Sequence, residues 1–311
     1  RVRAESSIAS AICGMIESAH HLVYLEQQFF VSSLGNGQAV SNNVAASLLK
    51  RLLRAVEAQE RFRAVVVLPL HPEGNPLEER SVQVVMSYQQ RTIQALREGV
   101  ERALPAGKRV DDYLCFLSAR SWGILDDKVV SEQAYIHSKV VIVDDRIALL
   151  GSANVNDRSL AGERDTEVSL LIRDTADLVP CNMGGATWDA GRSVRDLRVG
   201  LWRRLLGDVG ADVRDPISEE VYRDKLLWTA SHNTEVYERV LDRGMAASTC
   251  RTRAEAMRAL ATQEPVCADE GALDAMRTIV GHLVLHPTDR WPDDDLSLQL
   301  HESLVPTELF T

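Results

Sequence analysis

Four polar side chains on two neighbouring predicted strands have the residue types that phosphoryl chemistry needs. An imidazole, an ammonium, a hydroxyl and a carboxamide are supplied by His137, Lys139, Ser152 and Asn154. Side chains alternate faces along a strand, so the first two should share a face, and so should the last two. The lysine and the asparagine can stabilise the oxygens of a tetrahedral phosphoryl group. The histidine can attack phosphorus or transfer a proton.

The elements around these residues predict an α/β fold with a mixed, largely parallel central sheet flanked by helices. Hydrophobic periodicity predicts helices over 5–19, 42–58 and 78–103, and strands over 22–25, 64–68, 113–117, 135–143, 147–151 and 167–172. We expect this catalytic domain to occupy residues 1–175, with a helical, loop-rich cap over 176–311 packed on it. Ligands of open α/β sheets bind beyond the carboxyl ends of the strands, where we expect the four polar side chains.

Composition excludes several classes of protein. The 35 Lys and Arg residues are outnumbered by 45 Asp and Glu residues, and the net charge of −10 argues against a nucleic-acid partner. No apolar run reaches the roughly 20 residues that a transmembrane helix needs. The five cysteines are dispersed without C-x-x-C spacing, which is typical of reduced thiols in an intracellular protein without structural zinc.

An ordered series of motifs resembles the phospholipase D superfamily. His137, Lys139 and Asp144 fit its H-x-K-x-x-x-x-D signature, and residues 151–159 resemble its companion motif G-S-A-N-x-N-x-R-S. Further blocks resemble eukaryotic-type phospholipases D from their middle to their carboxyl terminus, at residues 24–30, 72–74, 81–83, 90–92, 190–192, 215–217, 281–284 and 308–311. The resemblance therefore covers essentially the whole chain.

The resemblance implies a role for each residue of the motif region. His137 is similar to the second catalytic histidine of the family, and Lys139 to a phosphate ligand. Ser152 and Asn154 resemble further residues of the phosphate pocket. Glu167 resembles the carboxylate that hydrogen-bonds the catalytic imidazole, a contact that fixes the tautomer and stabilises the imidazolium.

The sequence supports less specific expectations for four more residues. Asp144 lies five residues beyond Lys139, near the far end of its predicted strand, so we expect a structural pairing. Gly151 belongs to the companion motif. Glu26 ends the first strand, where it could line the pocket, cap a helix or enter a buried pair. The resemblance implies that Thr311, with its terminal carboxylate, tucks near the active site.

Five basic residues form a possible contact for phosphoinositide, which would be an activator. They are Lys50, Arg51 and Arg54 on one face of the second predicted helix, followed by Arg61 and Arg63. A solvated helix face is the usual meaning of such a run. The resemblance supports head-group binding instead, because the corresponding region of animal-type enzymes engages phosphoinositides. Each basic side chain near an anionic surface contributes on the order of 1 kcal/mol.

Residues 1–311 contain one H-x-K motif, whereas the family active site needs two. None of the other seven histidines has lysine two positions later. The chain also begins at Arg1, close to a predicted helix, which suggests a trimmed or processed chain. We therefore expect an amino-terminal H-x-K half, in the same precursor or in a separate chain, as the partner that completes the site.

Three functions follow from these observations. The leading one is the catalytic half of a phospholipase D that hydrolyses phosphatidylcholine through a phosphohistidine and transfers the phosphatidyl group to primary alcohols. No metal or other cofactor is needed for that chemistry, and we expect an intracellular, cytoplasmic protein at the membrane surface. The alternatives are a nuclease or other phosphodiesterase made of two one-motif chains, and a non-catalytic lipid-binding scaffold.

Overall fold

The computed structural model describes residues 5–35, 40–208, 210–242 and 250–291. The helices are α1 Ser7–Ser18, α2 Val44–Glu57, α3 Arg80–Glu101, α4 Asp157–Leu160, α5 Arg192–Leu206, α6 Trp228–Val240, α7 Arg253–Thr262 and α8 Glu270–Met276. The strands are β1 Leu22–Glu26, β2 Arg63–Val67, β3 Leu114–Leu125, β4 Lys128–Gln133, β5 Val140–Val143, β6 Ile147–Gly151, β7 Ser169–Arg173, β8 Leu178–Met183, β9 Ala186–Gly191 and β10 Leu283–Leu285. A 3₁₀ turn at Val110–Asp112 and a π-helical segment at Glu220–Leu227 complete these elements.

The central sheet has the strand order β10-β3-β2-β1-β5-β6-β7, with β4 also paired to β3. The predicted α/β class with a mixed sheet is confirmed, but the parallel part is smaller than expected. Only β1–β2 and β2–β3 pair in parallel among the described strands. Helices α2 and α3 supply the long crossovers that parallel pairing requires. The three-residue turn between β5 and β6 forces an antiparallel hairpin instead.

Helices cover both faces of the sheet. All five residues of β1 and of β2 are buried, as expected for strands with a helical layer on each side. On one face, Val23 and Val66 pack in a core with α1, α2 and α3. On the other face, Tyr24 and Val65 pack with Trp202 of α5 and with the π-helical segment. The sheet edges between these layers are therefore the exposed parts that can hold a site.

Three predicted elements differ from the structure. The strand predicted over 135–143 is shorter, because ladder pairing begins at Val140 and residues 134–139 lead into it without regular structure. The cap predicted as helical and loop-rich contains the β8–β9 hairpin, on which Trp188 lies, since Gly184 and Gly185 adopt positive φ and turn the chain there. The carboxyl-terminal region also contributes β10 to the central sheet. Its division from the rest at residue 175 stays a proposal.

Within the described ranges, no helix combines the length and the apolar character needed to cross a membrane.

A buried ion pair fastens α5 to the sheet. Arg198 donates from Nε to Oδ1 of Asp145 at 2.8 Å and from Nη2 to Oδ2 at 2.6 Å, and both side chains are 0% exposed. Asp145 lies in the turn between β5 and β6, and its backbone carbonyl accepts a hydrogen bond from Gly191. Burial raises the pKa of the Asp145 carboxyl, and the Arg198 guanidinium opposes this shift. The carboxylate therefore depends on Arg198 to stay ionised.

We predict that Asp145→Asn destabilises the fold by about 3–5 kcal/mol, because it leaves the Arg198 charge buried without a partner. The free energy of unfolding from urea denaturation measures the loss. Asp212→Asn is the matched control, since Asp212 pairs with Arg214 at the surface and should change stability by less than about 1 kcal/mol. Equal losses in the two variants would show that the buried pair does not hold α5 to the sheet.

Candidate active site

The antiparallel arrangement of β1 and β5 creates the site. Glu26, the last residue of β1, pairs with Val140, the first residue of β5. Gly151 at the end of β6 pairs with Ser169 at the start of β7. Residues 137–139 and 152–154 therefore lie at the same sheet edge. The edge combines carboxyl ends of β1 and β6 with amino ends of β5 and β7, which corrects the expectation that all four polar residues follow carboxyl ends.

Lys139 is held in place by hydrogen bonds and by burial. Its ammonium donates to Gln28 Oε1 at 3.0 Å and to the backbone carbonyl of His137 at 2.6 Å. Burial lowers the pKa of the Lys139 ammonium below its ordinary value, and the negative charge of Glu167 opposes this shift. Its charge can therefore interact with an anion in a partly desolvated position, where a cation binds a phosphoryl oxygen more strongly than in water.

Gln28 is the residue of this site that the sequence did not indicate. It follows β1, and its Nε2 donates to the hydroxyl of Tyr135 at 3.2 Å while its Oε1 accepts from Lys139. The resemblance over residues 24–30 was a signal that pointed to this segment. The neighbouring Gln27 is buried instead, and its Oε1 has no hydrogen-bond partner among the residues that the structure describes.

His137 presents an exposed imidazole at the site. Its ring stacks on that of Tyr135, with centroids 6.4 Å apart and planes inclined by 29°. Among the residues that the structure describes, the imidazole has no hydrogen bond. Both ring nitrogens are therefore available to a substrate or to a group from outside these residues.

Ser152 and Glu167 form a pair at the junction of β6 and β7. The hydroxyl of Ser152 donates to Glu167 and accepts from the backbone N–H of Val168 at 3.1 Å. The backbone N–H of Ser152 donates to Val168 O at 3.0 Å, so the β6–β7 pairing keeps the two side chains adjacent. In this structure the hydrogen bond of Glu167 goes to Ser152, and its predicted bond to the imidazole of His137 is not formed.

Asn154 and Gly151 complete this edge. Asn154 Oδ1 is buried and has no hydrogen-bond partner in the described part of the chain. It lies beside a cleft of about 130 Å³ that Phe29, Val31 and Val85 also line. Gly151 is needed because β7 approaches closely. A Cβ at this position would lie 2.4 Å from Val168 O and 2.7 Å from Ser169 Cα. The short glycine thus lets the polar residues that follow it reach the site.

Asp144 lies at the opposite end of the sheet. Its buried carboxylate accepts 2.7 Å hydrogen bonds from the backbone N–H groups of His20, His21 and Leu22, at the start of β1. This placement agrees with the structural pairing expected from the spacing. The last residue of the signature therefore anchors a strand and does not reach the edge that holds the candidate site.

Glu26 makes a buried hydrogen-bonded cluster beneath the site. It accepts from the hydroxyl of Tyr24 and from that of Ser138, the residue between the two catalytic candidates. Burial and the nearby Glu26 raise the pKa of the Tyr24 hydroxyl well above its ordinary value, so Tyr24 stays a donor. Of the three expectations for Glu26, the contacts favour the buried pair. Thr311 lies outside the described residues.

The five basic residues do not form one exposed surface, which corrects the expectation for a phosphoinositide contact. Arg51 is buried, donates to the backbone carbonyls of residues 19 and 20, and pairs with Glu60. Arg63 is also buried and pairs with Glu219. These two guanidinium groups are therefore used within the fold, where they donate to backbone carbonyls and pair with partly exposed carboxylates. Lys50, Arg54 and Arg61 remain at the surface, at the sheet end opposite His137.

No group of three or more His, Cys, Asp or Glu side chains converges as a metal site within the described part of the chain. The candidate site thus consists of nitrogen donors, a hydroxyl and a carboxylate. These groups can bind and protonate a phosphoryl ester.

Comparison with known proteins identifies the class to which this site belongs. The sequence model of the phospholipase D family matches residues 1–126 and 124–247. The chain is 41% identical over 247 residues to phospholipase D zeta 1 of Arabidopsis thaliana, covering 76% of this chain and 22% of that protein. It is 33% identical over 325 aligned positions to phospholipase D1 of Mus musculus, covering 99% of this chain and 29% of that protein.

The chain therefore belongs to the phospholipase D family. It spans about a quarter of the length of these relatives. Among solved structures, a phospholipase D family member, Nuc from Salmonella typhimurium, superposes with a TM-score of 0.31 at 13% identity, covering 63% of this chain and 84% of that one. NucT from Helicobacter pylori superposes with a TM-score of 0.28 at 15% identity, covering 54% and 77%.

We predict that Glu167→Gln lowers the pKa of the Lys139 ammonium further, because the substitution removes the negative charge that opposes the effect of burial. Titration of the Lys139 side-chain NMR signal measures this change. Glu163→Gln, which neutralises an exposed carboxylate in the same loop, is the matched control and should leave the titration unchanged. An unchanged Lys139 titration in Glu167→Gln would contradict the electrostatic coupling.

Proposed function

We propose that this chain is the catalytic half of a phospholipase D that carries the second H-x-K motif and acts on phosphatidylcholine. The observation that carries the proposal is the arrangement of Lys139, Asn154 and His137 at one sheet edge. A partly buried ammonium, an amide at a cleft and an exposed imidazole match the needs of phosphodiester cleavage. The similarity to proteins named phospholipase D supports the choice of a phospholipid substrate.

In the proposed first step, one histidine acts as the nucleophile and the other as the general acid. The histidine of the first H-x-K half attacks phosphorus, forming a P–N bond as the bond to the choline oxygen breaks. His137, as the imidazolium, gives its proton to that oxygen, so choline leaves with a neutral hydroxyl and not as an alkoxide. Lys139 neutralises the phosphoryl oxygens, and the amide N–H of Asn154 donates a hydrogen bond to them.

In the second step, His137 acts as a base. It takes a proton from water, whose oxygen attacks the phosphohistidine and breaks the P–N bond, which yields phosphatidic acid. A primary alcohol in place of water yields the phosphatidyl alcohol. Neither step changes an oxidation state or requires a metal, because the side chains provide the charge stabilisation.

The proposed nucleophile must come from a partner that reaches the strand ends beside His137. The edge strand β7 lies next to these strand ends and offers a surface for that partner. β7 is the last strand of the sheet path and pairs with β6. Val168, Leu170 and Leu171 are 77%, 63% and 47% exposed, and they adjoin the Ser152–Glu167 pair. An exposed apolar edge strand is a ready docking surface. We propose that the amino-terminal H-x-K half packs here.

The proposed substrate also sets where the protein works. Phosphatidylcholine is a bilayer lipid, so we propose a cytoplasmic enzyme that associates peripherally with the membrane surface. Vesicles of phosphatidylcholine are accordingly the substrate form for the assays below.

The first test removes the catalytic side chains. In the complete enzyme, defined as this chain together with a first H-x-K half, His137→Ala and Lys139→Ala should each reduce choline release at least about 10³-fold. Thermal melting should change little for His137→Ala, because its imidazole is exposed. Lys128→Ala, which removes an exposed lysine of β4, should retain full activity. Activity within threefold of wild type in the His137 variant would refute its catalytic role.

The second test concerns the partner. Residues 1–311 alone should release no choline, and addition of the first H-x-K half should restore both hydrolysis and transfer to ethanol. Leu170→Asp should weaken this restoration at least about tenfold, because it places a charge in the apolar contact. Ile124→Asp, at another exposed apolar position, is the control. Activity of the chain alone that rises with the square of its concentration would favour a dimer of one-motif chains instead.

A further inference from the structure

We propose that Tyr135 is a positioning residue that orients both His137 and Lys139 for catalysis. The inference rests on the function proposed above, since it concerns the same two side chains. It assigns a role to a residue that the motif analysis did not single out. Tyr135 precedes β5 by five positions and is half-buried.

Two contacts of Tyr135 reach the two catalytic side chains. Its ring faces the imidazole of His137, with the centroid distance of 6.4 Å in the range of favourable aromatic pairs. Its hydroxyl accepts from Gln28 Nε2 at 3.2 Å, and the Oε1 of the same amide accepts from Lys139 Nζ at 3.0 Å. One phenol therefore limits the rotation of the histidine directly and that of the lysine through Gln28.

The hydroxyl of Tyr135 holds the amide of Gln28 in place. An amide side chain can rotate to exchange its oxygen and nitrogen, and the ammonium of Lys139, which can only donate, requires that Oε1 faces it. The tyrosine oxygen accepts from the other end of the amide, Nε2, and fixes it there. Without the hydroxyl, the nitrogen end of the amide loses its contact, and the lysine loses a fixed acceptor.

The segment that carries the catalytic pair needs such support. Residues 134–139 have no regular strand structure, so side-chain contacts must supply part of their order. The hydroxyl of Tyr135 also accepts from the backbone N–H of Glu73 at 3.2 Å, which fastens the segment to the loop after β2. Since misplacement of a catalytic group by about 1 Å can reduce the rate on the order of 10²-fold, this fastening affects catalysis.

Two variants of Tyr135 separate its ring from its hydroxyl. Tyr135→Phe keeps the ring and removes the acceptor, and we expect kcat for choline release by the complete enzyme to fall about tenfold. Tyr135→Leu removes both contacts and should lower kcat about 100-fold. KM should change less than threefold in both variants, because neither contact binds the lipid. Tyr222→Phe, which removes a tyrosine hydrogen bond to Asp111 O far from the site, should retain wild-type kcat.

A double-variant cycle tests whether the hydroxyl acts through Gln28. If it does, Gln28→Leu and Tyr135→Phe affect the same contact, and the double variant should be no slower than the slower single variant. Fully multiplicative losses in kcat would overturn the proposed coupling to Lys139.

A second readout needs no activity. In this chain alone, the nuclear Overhauser contact between the rings of residues 135 and 137 should persist in Tyr135→Phe. In Tyr135→Leu, the NMR signals of the His137 ring should show disorder, while the circular dichroism spectrum should stay unchanged. Wild-type kcat in Tyr135→Leu, or an absent ring contact in the wild type, would overturn the inference. A complete enzyme that cleaves no phosphatidylcholine, with the ring contact intact, would instead refute the proposed function.

Discussion

The tight turn between β5 and β6, which contains Asp144 and Asp145, is the constraint on which the rest of the structure depends. Both residues adopt positive φ, which the short polar side chain of aspartate tolerates, and the turn reverses the chain from β5 into β6. The carboxylate of Asp144 binds the start of β1, and that of Asp145 binds Arg198 of α5. A single turn therefore sets the hairpin, its place beside β1 and the helical layer behind it.

The edge that holds the candidate active site follows from that hairpin by geometry. Once β5 runs against β1, the residues before β5 must return to the edge where β1 ends, and β6 must carry Gly151 to the same edge. A parallel β5 would have placed Lys139 at the other end of the sheet, away from Gln28. The antiparallel order also explains why polar groups from β1, β5, β6 and β7 meet here, although of these four strands only β1 and β6 end at this edge.

The sequence was sufficient for the parts of the site that depend on local spacing. It predicted the α/β class and grouped His137 and Lys139 with the run that follows β6. It missed Gln28, because the contact of this residue with Lys139 joins positions 111 residues apart and depends on the register of β1 against β5. It also misplaced Arg51 at the surface. Charge periodicity cannot show that two nearby backbone carbonyls need a buried donor.

The H-x-K-x-x-x-x-D signature contains residues of two kinds: an aspartate with a structural role, and a histidine and a lysine at the candidate site. From Lys139 to Asp144 the chain advances five residues, about 16 Å along a strand, so its two ends cannot serve one substrate. The contacts agree with this division. Asp144 accepts three backbone hydrogen bonds and has little capacity left, whereas the imidazole of His137 has none among the described residues. Structural polar groups fold with their partners in place, and a histidine that exchanges protons with a substrate keeps at least one ring nitrogen free. The aspartate of the motif is thus an anchor for the start of β1, and the histidine is the residue of the motif whose side chain stays open to a substrate.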